Sequence, residues 1–312
     1  MKNKVLIVDK VHPLILSELT RAGYHCDHFP GYGQKELEAI AGDYSGIVIR
    51  SGITLDSSFL GHATRLEFIG RVGSGMENVD VAFAESKGIR CLNSPEGNRD
   101  AVGEHAAGLL LALLNQIVRA DRQVRQGIWD REGNRGTEIM GKTVGIIGYG
   151  NMGSAFAQRL QGFDADVISY DKYKTDYSDG NTRETTMDEL FETCDILSLH
   201  VPLTAETTFL ADASFINRFA KPFYLLNTAR GKIVRTTDLV EALRSGKIRG
   251  TALDVLEYEG TSFEEIAGRD TPELKYLKES DQVILTPHIA GWTHESNVKL
   301  ARILVDKILK IQ

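Results

Sequence analysis

Apolar and polar positions along this chain follow two rhythms. Short β-type apolar runs fall at 5–8, 46–49, 67–69 and 90–92, and helical spacing of apolar residues occupies about 12–22, 34–41 and 79–87 between them. Strands alternating with helices predict a parallel sheet covered on both faces. The stretch 98–126 reads as one long helix with a break near Ala120. Its middle, AAGLLLALLNQIV, is apolar nearly all round, which predicts burial between domains or subunits. The polar, glycine-rich segment 127–141, carrying Trp129, reads as an arm. The βα rhythm then resumes, with strands expected at 143–147, 166–170, 195–200, 223–226, 251–255 and 282–285. A last helix is expected over 294–309, packed back on the N-terminal part. The fold class is therefore α/β, with two parallel-sheet domains of Rossmann-like or flavodoxin-like type. The first is discontinuous, 1–98 plus 292–312, and the second spans 99–291.

The strand at 143–147 ends in Gly148, Gly150 and Gly153, spaced G-x-G-x-x-G, and a helix follows. The next strand ends on Asp171. This strand–turn–helix–strand setting is what a dinucleotide-binding fingerprint requires. Gly148 permits the tight turn, Gly150 lets a pyrophosphate approach the backbone, and Gly153 lets helix and sheet pack closely. The helix N-terminus presents its N–H groups to the phosphates. A carboxylate at Asp171 accepts hydrogen bonds from ribose hydroxyls and repels a 2′-phosphate, which favours NAD over NADP, although Lys172 and Lys174 stand nearby.

Composition narrows the picture. The chain has 312 residues, enough for two domains, and a net charge of −7, which speaks against general affinity for nucleic acid or an anionic membrane. The apolar run 106–114 is far too short to span a bilayer, and no secretory h-region is expected at the N-terminus. Cys26, Cys91 and Cys194 have no C-x-x-C spacing, so neither disulfides nor a zinc site are expected and a reducing cytoplasm is. His25 and His28 read as surface residues, and no metal is expected.

Several strand ends in the second half carry polar groups, where ligands of parallel sheets bind. Arg230, Glu259 and His288 have complementary chemistry. An arginine fork holds a carboxylate and polarises an adjacent carbonyl. A histidine gives or takes a hydroxyl proton. A glutamate beside it favours the charged imidazolium and fixes the ring. Taken singly, each also reads as an ordinary solvated charge or loop residue.

RVGSGMENVD at 71–80, NSPEGN at 93–98, GTEIMGKTVGIIGYGNMG at 136–153, the acid at 171, HVPLT at 200–204, NTARGKIV at 227–234, ALDV at 252–255 and TPHIAG at 286–291 occur in that order. Together they resemble the D-isomer-specific 2-hydroxyacid dehydrogenases over nearly the whole chain. The resemblance implies a substrate domain and an NAD domain with a cleft between them, closing on binding, in a homodimer. It implies that Arg230 binds the substrate's carboxylate and oxygen, and that Glu259 and His288 form the proton-transfer pair. It gives amides near Ser74 and Gly75 to the carboxylate, and main chain at Asn151 and Met152 to the pyrophosphate. Val201 and Thr204 would flank the adenosine half, while Asp254, Thr228, Ala229 and Gly291 would place the nicotinamide amide. One departure stands out: Gly260 follows Glu259 where the family usually has proline, and 261–280 reads as a helical insert, with Glu257 the fallback for the acid.

Arg50 and Arg71 lie at strand ends of the first domain, and two cations beside a carboxylate site suggest a second anionic group on the substrate. The phosphoglycerate dehydrogenase branch is the nearest likeness. It implies oxidation of 3-phosphoglycerate to 3-phosphohydroxypyruvate, a step of serine biosynthesis, without the C-terminal regulatory domain of longer relatives. Surface pairing of Arg71 with Glu67 or Glu77 is the plainer alternative. Other readings are a glyoxylate/hydroxypyruvate reductase, another D-2-hydroxyacid dehydrogenase, or an NAD-sensing corepressor-like regulator.

Overall fold

The computed structural model describes residues 4–260 and 271–311. They divide into two compact units, 4–99 with 260 and 292–311, and 100–259 with 271–291.

The first unit holds a five-stranded parallel sheet in the order β2-β1-β3-β4-β5: β1 Lys4–Ile7, β2 His25–His28, β3 Gly46–Ile49, β4 Phe68–Arg71 and β5 Arg90–Leu92. Side chains alternate across a strand, so each strand supplies two cores. Leu6, Ile47, Ile49 and Ile69 face one cluster with Phe59, Leu60 and Ala84. Val5, Ile7, Val48 and Phe68 face the other, with Ile15, Leu19 and the last helix, His294–Leu309. That helix returns to this sheet as expected, through Leu300, Ala301, Leu304, Val305 and Ile308. Its start is set by a capping box, the Thr293 hydroxyl accepting from Ser296 N and the Ser296 hydroxyl from Thr293 N, each at 3.0 Å.

The second unit holds a seven-stranded parallel sheet in the order β12-β11-β10-β9-β6-β7-β8. The strands are β6 Thr143–Ile147, β7 Asp166–Tyr170, β8 Arg183–Glu184, β9 Ile196–Leu199, β10 Phe223–Asn227, β11 Ile248–Leu253 and β12 Val283–Leu285. Ile146 and Leu226 point to a face covered by Leu109, Leu110, Leu113 and Phe156. Ile147, Phe223 and Leu225 point to the other, covered by Phe191, Phe219, Leu239 and Leu243.

Two expectations need correction, and the strand β2 was not foreseen. The long helix breaks at 115–116, not near Ala120, giving Arg99–Leu114 and Ile117–Arg125 at 61° to one another. Gln116 turns the chain with φ of 55°, a left-handed conformation that no glycine or proline announces. The apolar run is accordingly divided: Leu109, Leu110, Leu113 and Leu114 are buried, whereas Ile117 and Val118 are exposed. The strand expected over 251–255 ends at Leu253, so Asp254 sits in the loop beyond it. Finally, β2 escapes the pattern because HCDH has no apolar run; it pairs only with β1, at the sheet edge. Of the expected insert, Pro272–Glu279 is helical, capped by Thr271, and 261–270 lies outside the described residues. No single described helix is long and apolar enough to cross a membrane; only the bent pair 99–125 passes on length and composition.

The last helix approaches the turn at Pro95–Gly97 so closely that a Cβ on Gly97 would lie 2.6 Å from Leu300 N and 2.7 Å from its Cα. Backbone cannot yield as a flexible side chain does. Gly97→Ala is expected to cost about 1–3 kcal/mol and to lower the midpoint of thermal unfolding. An unchanged midpoint contradicts the close approach.

Candidate active site

Both sheets place their candidate residues beyond the carboxyl ends of parallel strands, the edge that also carries the point where strand order reverses. In the second sheet that point lies between β6 and β9. The glycine loop leaves β6 there. Gly148 has φ of 93°, and a Cβ on it would lie 2.6 Å from the His200 carbonyl oxygen and 2.9 Å from Val201 Cγ1. Gly153 abuts the Gly148 carbonyl, where a Cβ would come within 2.1 Å. Around Gly150, by contrast, a Cβ would meet nothing within 4 Å. Gly150 is the N-cap of the helix Asn151–Arg159, so the amides of Asn151 and Met152 open on that space.

Asp171 closes the loop from β7. Its carboxylate accepts from Tyr149 N at 2.9 Å and Tyr173 N at 3.0 Å. A carboxylate has about four acceptor positions, so capacity for a diol remains. The two lysines that complicated the cofactor preference are engaged elsewhere. Lys172 pairs with Glu206, which also accepts from Tyr173 OH, and Lys174 donates to Tyr149 O at 2.6 Å. Thr204 organises the loop after β9, accepting from Thr207 N at 3.3 Å while its own amide donates to the Thr207 hydroxyl at 2.8 Å.

Arg230, Glu259 and His288 all belong to the second unit. Buried Asn227 holds the turn carrying Arg230: its side chain accepts from Ala229 N at 3.1 Å and donates to Arg230 O at 2.9 Å. Arg230 Nη1 donates to Ala229 O at 2.6 Å. Gly231 lets this turn press against the loop leading to Glu259, since a Cβ there would lie 1.9 Å from Leu256 O. Glu259 Oε1 accepts from Leu256 N, and its Oε2 lies 2.8 Å from His288 Nδ1. The carboxylate beside the imidazole is thus that of Glu259. Glu257 instead accepts from Thr236 N at 2.8 Å, at the start of the helix Thr236–Arg244.

His288 has φ of 55°, a conformation costly for a side-chain-bearing residue and held by its surroundings. The holding group is Asp254, only 1% exposed. Its carboxylate accepts from Thr286 Oγ1 at 2.6 Å, Ile289 N at 2.9 Å and Ala290 N at 2.8 Å, and its carbonyl accepts from His288 N at 2.7 Å. His105 Nε2 lies 3.2 Å from Thr286 Oγ1 and 3.4 Å from Asp254 Oδ1. Burial opposes ionisation of Asp254, but His105, Thr286 and the two amides outweigh it and hold the carboxyl below its ordinary range. Asp254 was expected beside the nicotinamide amide; its hydrogen bonds within the chain make it also the clamp of the 286–290 loop. Asn227 and His105 escaped the sequence reading. Asn227 heads the NTARG stretch, the one available signal, while His105 is masked by the apolar run that follows it in the same helix.

The first unit carries the remaining candidates. Its strand order reverses between β1 and β3, whose ends lead to Asp9 and Arg50. The Asp9 carboxylate accepts from Arg50 N, and Arg71 Nε donates to Arg50 O at 3.1 Å. Ser74 Oγ donates to Asn98 Oδ1 at 2.6 Å, and Asn93 Nδ2 donates to Ser74 O at 2.6 Å, which fixes the turn that ends in Gly75. His25 and His28 are exposed, and no group of three or more metal-ligating side chains occurs among the described residues.

The second-unit residues fit a dinucleotide. The space at Gly150 faces helix amides, Asp171 retains acceptor capacity, and the buried Thr228 hydroxyl has no hydrogen-bond partner among the described residues. A polar ligand group beside Thr228 would answer that hydroxyl.

Comparison with known proteins agrees. Residues 107–290 match the family described as D-isomer specific 2-hydroxyacid dehydrogenase, NAD binding domain. The chain is 33% identical over 310 residues to a D-3-phosphoglycerate dehydrogenase of Archaeoglobus fulgidus, covering 99% of this chain and 57% of that relative. The chain thus spans little more than half the length of that relative. It is 35% identical over 275 residues to a hydroxypyruvate reductase of Thermotoga maritima, covering 88% of this chain and 87% of that one. Among solved structures, a D-lactate dehydrogenase of Aquifex aeolicus complexed with NAD and lactic acid superposes with a TM-score of 0.84 at 26% identity, covering 99% of this chain and 95% of that chain.

One buried group beside the glycine loop predicts a pH effect. His200 Nε2 lies 2.8 Å from Ser198 Oγ, its Nδ1 is buried with no partner among the described residues, and its ring lies 5.4 Å from that of Phe156. Burial pushes the imidazole down to about 4. An unfolded histidine titrates near 6.5, so between these values the unfolded chain binds a proton that the folded chain does not. This contribution to stability is complete above about pH 6.5 and lost as pH falls toward 4, about 3 kcal/mol in all. His200→Gln is expected to flatten the fall in unfolding midpoint over that window. An identical fall in both proteins contradicts the assignment.

Proposed function

The chain belongs to the D-isomer-specific 2-hydroxyacid dehydrogenase family, with an NAD-binding domain over 107–290, and on that premise we propose that it interconverts a D-2-hydroxy acid and its 2-keto acid, the hydroxy acid carrying a phosphate. The observation that carries the chemistry is the Glu259–His288 pair at 2.8 Å, set on the same sheet edge as the glycine loop. NAD, when bound, supplies the hydride acceptor for oxidation, and NADH the donor for reduction.

In oxidation, His288 takes the hydroxyl proton at Nε2 while Nδ1 remains against Glu259, which stabilises the imidazolium that forms. In reduction the same nitrogen returns the proton to the keto oxygen. Arg230 holds the substrate's carboxylate and its reacting oxygen with charge-assisted hydrogen bonds, and polarises the carbonyl. Asp171 receives the ribose diol, with Asn151 and Met152 N–H groups toward the pyrophosphate. The nearby lysines are committed to Glu206 and Tyr149 O, which supports NAD over NADP. Val201 and Thr204 flank the adenosine half, and Thr228, Ala229, Asp254 and Gly291 place the nicotinamide amide. In the first unit the residues assigned to substrate are Ser74 and Gly75 for the carboxylate, and Arg50 and Arg71 for the phosphate. The substrate pair favoured is 3-phosphoglycerate and 3-phosphohydroxypyruvate, consistent with the name of the 33% identical relative. The reading includes a homodimer, supported by the exposed apolar side chains of Ile117, Val118, Val124, Ile128, Trp129 and Met140, all within 117–140.

The test is NADH formation by the purified protein from 3-phosphoglycerate, D-glycerate and D-lactate at constant ionic strength. The expected result is the highest kcat/KM with 3-phosphoglycerate. A preference for an unphosphorylated acid removes the phosphate and leaves the general dehydrogenase, while no turnover of any acid favours an NAD-sensing regulator.

A further inference from the structure

Arg50 follows β3 at the switch point of the first sheet, the position where parallel sheets of this strand order bind ligands. Its main chain is engaged on both sides. The amide donates to Asp9, and the carbonyl accepts from Arg71 Nε at 3.1 Å and Asn78 Nδ2 at 3.4 Å. The guanidinium is different. It makes no hydrogen bond or ion pair with any described residue, although the residue is half-buried. Its contact is with the face of Trp292, the ring centroid lying 4.0 Å from Cζ. Burial lowers the pKa of Arg50 from its ordinary value, partly opposed by Asp9, so the cation is incompletely compensated where it stands.

A guanidinium lying over an aromatic ring has that side closed and keeps its N–H donors for another partner. That is a fork pre-set for a planar or tetrahedral oxyanion. Trp292 is 65% exposed, so its indole gives little to the core; what it supplies is the surface on which Arg50 lies. Arginine has high rotamer entropy, and a platform that fixes it beforehand reduces what an incoming anion must order.

We propose that Trp292 is a specificity-determining residue: it is the platform that sets the Arg50 guanidinium as the receptor for the phosphate of a phosphorylated 2-hydroxy or 2-keto acid. The inference rests on the phosphate reading given above. Trp292 acts through Arg50 and touches no reacting atom.

The experiment measures kcat/KM with NADH for 3-phosphohydroxypyruvate and hydroxypyruvate, which differ only in the phosphate. It uses the full chain, Trp292→Ala, Trp292→Phe, Arg50→Ala and the Arg50→Ala/Trp292→Ala double variant. The ratio of the two kcat/KM values is expected to fall about three- to thirtyfold in Trp292→Ala, the range a stacked cation supplies, chiefly through KM of the phosphorylated substrate. Trp292→Phe is expected to recover most of the ratio, because a π face remains. The double variant is expected to match Arg50→Ala, because a platform has no effect once its arginine is gone. An unchanged ratio in Trp292→Ala alongside a lowered one in Arg50→Ala overturns the platform and leaves the phosphate reading standing. Losses that multiply in the double variant also overturn it, since Trp292 then acts independently. An unchanged ratio in Arg50→Ala removes Arg50 from the phosphate and overturns the platform with it, while a wild-type preference for hydroxypyruvate removes the phosphate reading itself.

Discussion

The buried carboxylate of Asp254 is the constraint on which the candidate site depends. It sits one residue past β11 and ties down the loop beyond β12 through one hydroxyl and two main-chain amides. Removing a carboxylate from water is costly, and only a full set of donors offsets it. Those donors are the loop itself. The loop therefore has one low-energy arrangement, and in it His288 adopts a left-handed backbone that brings its ring to Glu259. The strained backbone at His288 is thereby held by the surrounding hydrogen bonds.

The same device recurs at other strand ends. Asn227 bridges the turn that carries Arg230, Asp171 takes the amide of Tyr149 in the glycine loop, and Asp9 takes the amide of Arg50 in the first unit. In each case a short polar side chain at the end of one strand satisfies backbone groups of its own or an adjacent loop. Loops at the end of a parallel sheet have no ladder of their own, so such side chains supply the missing partners. The consequence is that the candidate residues are held in place by hydrogen bonds of the chain itself, and positioning of that kind contributes to rate.

Much of this was legible from local pattern. The glycine spacing, the strand before it and the acid after it lie within one βαβ unit, where sequence neighbours are also spatial neighbours. The last helix was legible because its apolar spacing marks it. What escaped had non-local or unusual causes. The break at Gln116 uses a left-handed glutamine, β2 is a polar edge strand, and His105 hides inside an apolar helix yet meets Asp254 far along the chain. Spacing favoured Glu259 with Glu257 as fallback, but did not show the contact that distinguishes them. Glu259 lies against His288 where Gly231, lacking a side chain, lets the Arg230 turn seat against Leu256, and the Leu256 amide holds the Glu259 carboxylate.

The central claim is that this clamped loop presents His288 as the proton donor and acceptor in hydride transfer. The most direct measurement compares kcat and NADH affinity in His288→Ala, the first by turnover at saturating substrate and the second by fluorescence titration. A general acid–base group typically contributes about 10²–10⁴ in rate, so kcat is predicted to fall by that factor while the NADH dissociation constant changes little. An unchanged kcat would contradict the account, as would a loss of NADH binding large enough to explain the whole defect.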